Sequence, residues 1–240
     1  MGNNDSKSFK HVTVQDLRNA CVPYRIPFTN ATPPSSKTWV RDPNDYSEVY
    51  PNVFLSGGEF AQSTDHLKQT GITHILNAAQ GTSYMHVDTT QKFYEDRDLK
   101  IQFKGIKAND SFNYDLSENF DDCANFINEA LQSGGKILVH CVQGYSRSPT
   151  IVVAYLMIKK KLRAKEALRT IRSKRTVYPN DNFLKLLCKL DLKLFGPPEA
   201  QDSDFYDQIV DKKELLDWKQ RLLEEDNNCT DINNTCSKRS

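Results

Sequence analysis

Read for its hydrophobic and polar positions, the chain alternates between short apolar runs and longer stretches whose apolar residues recur at helical spacing. Val14 and Leu17, behind Thr13 as a cap, predict a short helix over residues 12–20. Val49-Tyr50 and Val53-Phe54-Leu55, broken by Pro51-Asn52, predict a hairpin leading to Gly57-Gly58. A helix over 59–70 follows and stops at Gly71. Ile72-Thr73-His74-Ile75-Leu76-Asn77 is a β-branched strand of the buried type. His74 has no second chemical group near it in sequence, which marks it as structural rather than as a base. Residues 99–106 alternate, with Leu99, Ile101 and Phe103 on one face and Lys100, Gln102 and Lys104 on the other, so 107–115 is a loop.

Asp115 and Glu118 open the next helix as a capping-box-like pair, and Phe120, Ala124, Ile127 and Leu131 mark its buried stripe before Gly134-Gly135 ends it. Lys136-Ile137-Leu138-Val139 is a short apolar strand. A helix over 148–160 follows, with Ile151, Val152, Tyr155, Leu156 and Met157 buried, and two more over 164–173 and 182–194. Strands alternating with helices across 53–194 predict an α/β fold: a single domain with a central, mostly parallel sheet flanked by helices.

Composition bounds this picture. A chain of 240 residues at 38% hydrophobic content can bury one sizeable core and leave tens of residues over. Residues 1–10 read as a polar, disordered start and 11–196 as the domain. Residues 197–240 read as an acidic extension with one amphipathic helix over 205–225 and a disordered end. Residues 21–44, rich in Pro, Thr, Ser and Asn, form an irregular connector. No run of about 18 apolar residues and no signal-peptide core occurs. The expected location is therefore the cytoplasm, with the nucleus also open. The six cysteines, Cys21, Cys123, Cys141, Cys188, Cys229 and Cys236, form no CxxC pair and no zinc spacing, which argues against a disulfide framework, a metal site or a cofactor. Met1-Gly2-Asn3-Asn4-Asp5-Ser6 fits the N-myristoylation pattern at Gly2, and one such chain gives only weak membrane association.

The net charge of +1 conceals an asymmetry. Residues 159–175 carry nine basic residues and one acid, whereas 199–226 carry ten acids against four bases. Both read as solvated helix faces, and the basic one can also steer a polyanionic substrate.

Candidate chemistry concentrates in His140-Cys141-Val142-Gln143-Gly144-Tyr145-Ser146-Arg147-Ser148. A strand that enters a glycine-containing turn and leaves through a proline-started helix aims backbone N–H groups at an anion, for which phosphate is the natural guest. The same field lowers the pKa of the Cys141 thiol and makes it a nucleophile. Gly144 permits a backbone other residues resist, and the planar fork of Arg147 can grip two phosphate oxygens. A proton donor is also needed, and spacing leaves Asp96, Asp110, Asp115 and Asp181 open.

His-Cys-x-x-Gly-x-x-Arg resembles the signature of the cysteine-dependent protein tyrosine phosphatases. The segments 71–79, Met85-His86-Val87, Gly105-Ile106-Lys107-Ala108-Asn109-Asp110, 144–150 and Pro179-Asn180-Asp181 resemble the VHR-type, atypical dual-specificity phosphatases. The resemblance implies hydrolysis of phosphotyrosine and phosphoserine/threonine on proteins through a cysteinyl-phosphate on Cys141. Arg147 and the backbone N–H groups of Val142, Gln143, Gly144, Tyr145, Ser146 and Arg147 would hold the phosphoryl oxygens. The match at 107–110 selects Asp110 as the acid. Ser148 would stabilise the departing thiolate, and His140 would orient the loop and support the low thiol pKa.

The resemblance also implies phosphorylated protein substrates, with MAP kinases by family analogy, and no nucleic acid partner. Two positions depart from it. Val142-Gln143 replaces a more polar arginine-acid pair, and Arg175, which resembles an arginine offering a second phosphate pocket, has different neighbours and reads equally as a solvated base. Phosphoinositide or RNA 5′-phosphate hydrolysis on the same scaffold is the rival enzymatic reading, disfavoured because the loop supplies no lysine. A non-catalytic phospho-residue binding module is disfavoured because Cys141, Arg147 and Asp110 are all present.

Overall fold

A computed structural model describes residues 12–21 and 45–196, all within one compact unit, His11–Gly196. Gly2 with its acylation pattern, the helix expected over 205–225 and the connector expected over 21–44, apart from Cys21, which ends the helix Val14–Cys21, lie outside the described residues.

Among the described residues the sheet has five strands: β1 (Tyr46–Tyr50), β2 (Val53–Ser56), β3 (His74–Asn77), β4 (Gln102–Gly105) and β5 (Ile137–His140), in the order β1-β2-β5-β3-β4. β2, β5, β3 and β4 run parallel, and β1 pairs antiparallel on the edge through the predicted hairpin. β5, the last strand in sequence among the described residues, lies between β2 and β3. Its apolar run alternates between two cores: Ile137 and Val139 enter one and Leu138 the other. Burial on both faces explains why β2, β3 and β5 read as continuous hydrophobic segments.

One face carries α1 (Val14–Cys21), α5 (Phe120–Gln132), α6 (Arg147–Lys160), α7 (Ala164–Arg172) and α8 (Asp181–Phe195). The other is covered by α2 (Gly58–Gln62), α3 (Thr64–Thr70) and α4 (Gln91–Glu95), which contribute Phe60, Leu67 and Tyr94 to the smaller core. α6 is buried at every position from Arg147 to Met157, as expected of a helix that is apolar nearly all round. Parallel register brings Ser56, His140, Asn77 and Gly105 abreast at the carboxyl ends of their strands. Ligand crevices of open α/β sheets form outside such an edge.

Several boundaries differ from expectation. The helix expected over 59–70 is two helices, because Ser63 takes an extended backbone (φ −85°, ψ 102°). Ser and Thr favour helix starts over interiors, and Ser63-Thr64 restarts the helix there. Gly71 ends it in the left-handed region at φ 72°. α4 has only five residues, too few to display a period, and Thr90 Oγ1 caps it by accepting from Phe93 N–H at 3.2 Å. Asp115 accepts from Ser117 N–H at 2.9 Å and opens a 3₁₀ turn, Leu116–Asn119, ahead of α5. Thr13 and Asp16 form a reciprocal cap at the start of α1, at 2.9 and 3.1 Å. His74 is a structural group: it is buried, its Nδ1 lies 2.8 Å from Thr73 Oγ1, and its ring packs edge-on against Phe126.

Leu138→Ala should destabilise the domain by about 2–5 kcal/mol, because it removes a fully buried side chain from the strand hydrogen-bonded on both sides. The midpoint of a urea titration followed by circular dichroism measures this.

Candidate active site

β5 ends at His140, and the chain loops tightly before Arg147 opens α6. Gly144 stands at φ 74°, where a Cβ would lie 2.5 Å from the Ser56 carbonyl oxygen and 2.9 Å from Arg175 Nη2. Both conformation and space therefore require glycine. Neighbouring elements fasten the loop from outside. Gly58 N–H donates to Val142 O at 3.0 Å, Tyr178 N–H to Tyr145 O at 2.7 Å, and Arg175 Nε to Gly144 O at 3.3 Å. No acidic residue sits in the first turn of α6, so the partial positive charge of that helix start is left for a guest.

The Cys141 thiol lies at the centre of this arrangement, 2% exposed. Gly144 N–H points at its sulfur at 3.3 Å and the Ser148 hydroxyl at 3.4 Å. Burial alone would raise its pKa. The charge of Arg147, the Ser148 hydroxyl and the N–H groups of Ser148 and Gly144 outweigh burial and bring it below the ordinary thiol value. His140 contributes no charge: burial pushes its pKa down to about 4, so the ring is neutral near pH 7. Its Nδ1 donates to Cys141 O at 3.3 Å and holds the backbone. The expectation that His140 supports the low thiol pKa is thus narrowed to an orienting contact.

Arg147 is 1% exposed, and its Nη1 donates to Met85 O at 2.8 Å and Ala108 O at 3.0 Å. Its Nε donates to no described residue and stands 3.7 Å from Asp110 Oδ2, too far for a hydrogen bond. Asp110 Oδ1 accepts from the Ser146 hydroxyl at 2.9 Å and from Asn180 Nδ2 at 2.7 Å, which fixes the carboxyl and leaves Oδ2 facing Arg147. The other three candidate acids are engaged elsewhere: Asp96 with Lys92, Asp115 in its cap, and Asp181 with Arg18.

Cys141, Arg147, Asp110, Ser148 and the 142–146 backbone thus converge. Arg175 is corrected. Its side chain is 3% exposed, and both terminal nitrogens donate to Asp45, at 2.7 Å each. It is neither a solvated base nor an open second phosphate pocket. Asn180 was missed as a site residue. It caps α8 by accepting from Phe183 N–H at 3.0 Å while its amide nitrogen holds Asp110. The cap was legible as Asn ahead of a helix start, and the reach to Asp110 was not. A cavity of about 300 Å³ adjoins the loop at Val142 and Gln143, walled by Tyr84, Met85 and Asp88. Among the described residues, no group of three or more His, Cys, Asp or Glu is placed to hold a metal ion.

A buried thiol with lowered pKa, a buried guanidinium and a carboxyl across from it stand together at the carboxyl edge of a parallel sheet. The family model described as dual specificity phosphatase, catalytic domain, matches residues 53–192, and the chain belongs to this family. It is 38% identical over 189 residues to human dual specificity protein phosphatase 13B, covering 75% of this chain and 93% of that protein. It is 41% identical over 158 residues to bovine dual specificity protein phosphatase 26, covering 65% and 72%. Among solved structures, DUSP15 superposes with a TM-score of 0.52 at 28% identity, covering 62% of this chain and 94% of that one. The chain is a dual-specificity protein phosphatase acting on phosphorylated proteins.

Iodoacetamide at pH 7 should alkylate Cys141 well ahead of Cys21, Cys123 and Cys188, whose thiols burial pushes up to about 11, about 12 and about 12. Peptide mass mapping over a time course gives the order. Gly144→Ala should abolish this selectivity and turnover while the circular dichroism spectrum is kept.

Proposed function

We propose that Cys141 is the nucleophile of this phosphatase. The observation that carries the assignment is a thiol pKa lowered in spite of nearly complete burial, with Gly144 N–H and the Ser148 hydroxyl aimed at the sulfur. In the first step the Cys141 thiolate attacks phosphorus, the P–S bond forms and the bond to the substrate oxygen breaks. Asp110 gives its proton to that oxygen from Oδ2, the oxygen that its anchoring contacts leave free. Arg147 Nε and the loop N–H groups hold the equatorial oxygens as charge builds on them. In the second step water attacks the cysteinyl-phosphate, Asp110 takes a proton from the water, and the P–S bond breaks. The Ser148 hydroxyl stabilises the departing thiolate. His140 and Asn180 are positioning residues, one for the loop backbone and one for the acid.

The substrates are phosphorylated proteins, with MAP kinases proposed among them on family resemblance. The loop interior supplies no lysine to meet the extra phosphates of an inositol lipid, which supports the protein reading over the lipid one.

Cys141→Ser should lower kcat by about 10⁴-fold or more while phosphopeptide binding persists. Retained turnover would remove Cys141 from its role. Asp110→Asn should lower kcat roughly 10²-fold on a phosphopeptide and far less on p-nitrophenyl phosphate, whose leaving group needs no proton. Equal losses on both substrates would move the acid elsewhere.

A further inference from the structure

The segment over 106–115, between β4 and the 3₁₀ turn, carries Asp110 and contains neither helix nor strand to hold it. Part of its hold comes from the first turn of α8. Asn180, the cap of that helix, donates from Nδ2 to Asp110 Oδ1 at 2.7 Å, and Asn182 donates from Nδ2 to Tyr114 O at 2.8 Å. Asp181, the residue between them, is gripped from the N-terminal helix: Arg18 Nε donates to its Oδ1 at 2.8 Å and Arg18 Nη2 to its Oδ2 at 2.6 Å. Of three consecutive residues, the outer pair is thus bonded to the acid loop and the middle one to α1. α1 is itself firmly seated. Leu17 and Cys21, one helical turn apart, are buried in the larger core, Asp16 accepts from Lys165 of α7 at 3.0 Å, and Cys21 O accepts from Arg172 Nε at 3.0 Å. The Arg18 and Asp181 side chains are 47% and 45% exposed, and an ion pair so exposed adds little to stability. What a two-bond fork does fix is orientation. α1 precedes residues 53–192, the span that matches the phosphatase family model, so the fork joins that span to a segment ahead of it.

We propose that Arg18 is a positioning residue for the general acid, acting through Asp181 to hold the first turn of α8 in the place from which Asn180 and Asn182 fix the loop of Asp110. This inference rests on the reading of Asp110 as the proton donor. Helix ends fray, and Asn180 has to serve as the cap of α8 and as the anchor of the acid at once. With the fork in place, Asp110 Oδ1 keeps its contacts and Oδ2 stays on the side of Arg147, where the leaving oxygen is met. Without it the turn loosens and the carboxyl leaves its line, and misplacement on the order of 1 Å at a reacting group costs up to about 10²-fold in rate. The loss falls on the step that needs a proton. Arg147 is held by the carbonyls of Met85 and Ala108, outside α8, so the cradle for phosphate keeps its shape.

The test reads kcat and KM on a phosphopeptide and on p-nitrophenyl phosphate. Arg18→Gln should lower kcat about tenfold on the peptide and by no more than about twofold on the aryl phosphate, with KM kept for both. Asp181→Asn should give the same split, and the two substitutions together should cost no more than either alone, as expected of partners in one contact. In an Asp110→Asn background Arg18→Gln should have no further effect on the peptide, because the proton that it positions is gone. A merely structural role would lower both substrates together and would multiply with the loss from Asp110→Asn. Either of those results overturns the proposal, as does an unchanged kcat of Arg18→Gln on the peptide. Asp110→Asn alone separates the two readings: a split there with none in Arg18→Gln overturns the positioning role only, and equal losses there overturn the acid as well.

Discussion

A guanidinium withdrawn from water is the constraint on which the site depends. Arg147, 1% exposed, cannot be left without compensation, since a buried unpaired charge costs several kcal/mol. The fold answers with two main-chain carbonyls, Met85 and Ala108, from the loops after β3 and β4, and with the carboxyl of Asp110 at longer range. The same charge lowers the pKa of the Cys141 thiol against its own burial. One side chain thus ties three loops together and makes the sulfur reactive. The loops it ties emerge from adjacent strands because β5 is inserted between β2 and β3.

Around this charge the loop is held chiefly by backbone contacts. Gly58, Tyr178 and the neutral ring of His140 each fix one point of the main chain. The N–H groups at the start of α6 need no side chain to present themselves to an anion. The contacts that Val142, Gly144 and Tyr145 make with Gly58, Arg175 and Tyr178 run through their backbone carbonyls, and Gly144 adds a conformation that requires glycine.

How much was legible follows from where each signal lies along the chain. The strand, loop and helix over 137–160 form one contiguous segment, and their order, burial and chemistry could be read directly. The mostly parallel sheet followed from the same alternation, although its strand order did not. The single helix expected over 59–70 misled because apolar spacing is continuous through Ser63 while the backbone is not. α4 is shorter than one and a half turns and has no period to detect. Long-range pairings were invisible for a different reason. Asn180 meets Asp110 across 70 residues and Arg175 meets Asp45 across 130, and nothing local to either partner encodes the meeting. The low pKa of His140 likewise depends on burial that only the assembled fold creates.

The burial of α6 on every side bears on how the protein loses its activity. Local opening is cheapest where little apolar surface is packed and hydrogen bonds face water. The segment from β5 to the middle of α6 has neither property: β5 is paired on both edges and α6 is enclosed from Arg147 to Met157. The reactive loop therefore belongs to the last cooperative unit to open, and heat should take catalysis and tertiary structure away in a single step. An inactive but still folded species would have to arise from chemistry at the sulfur and not from melting.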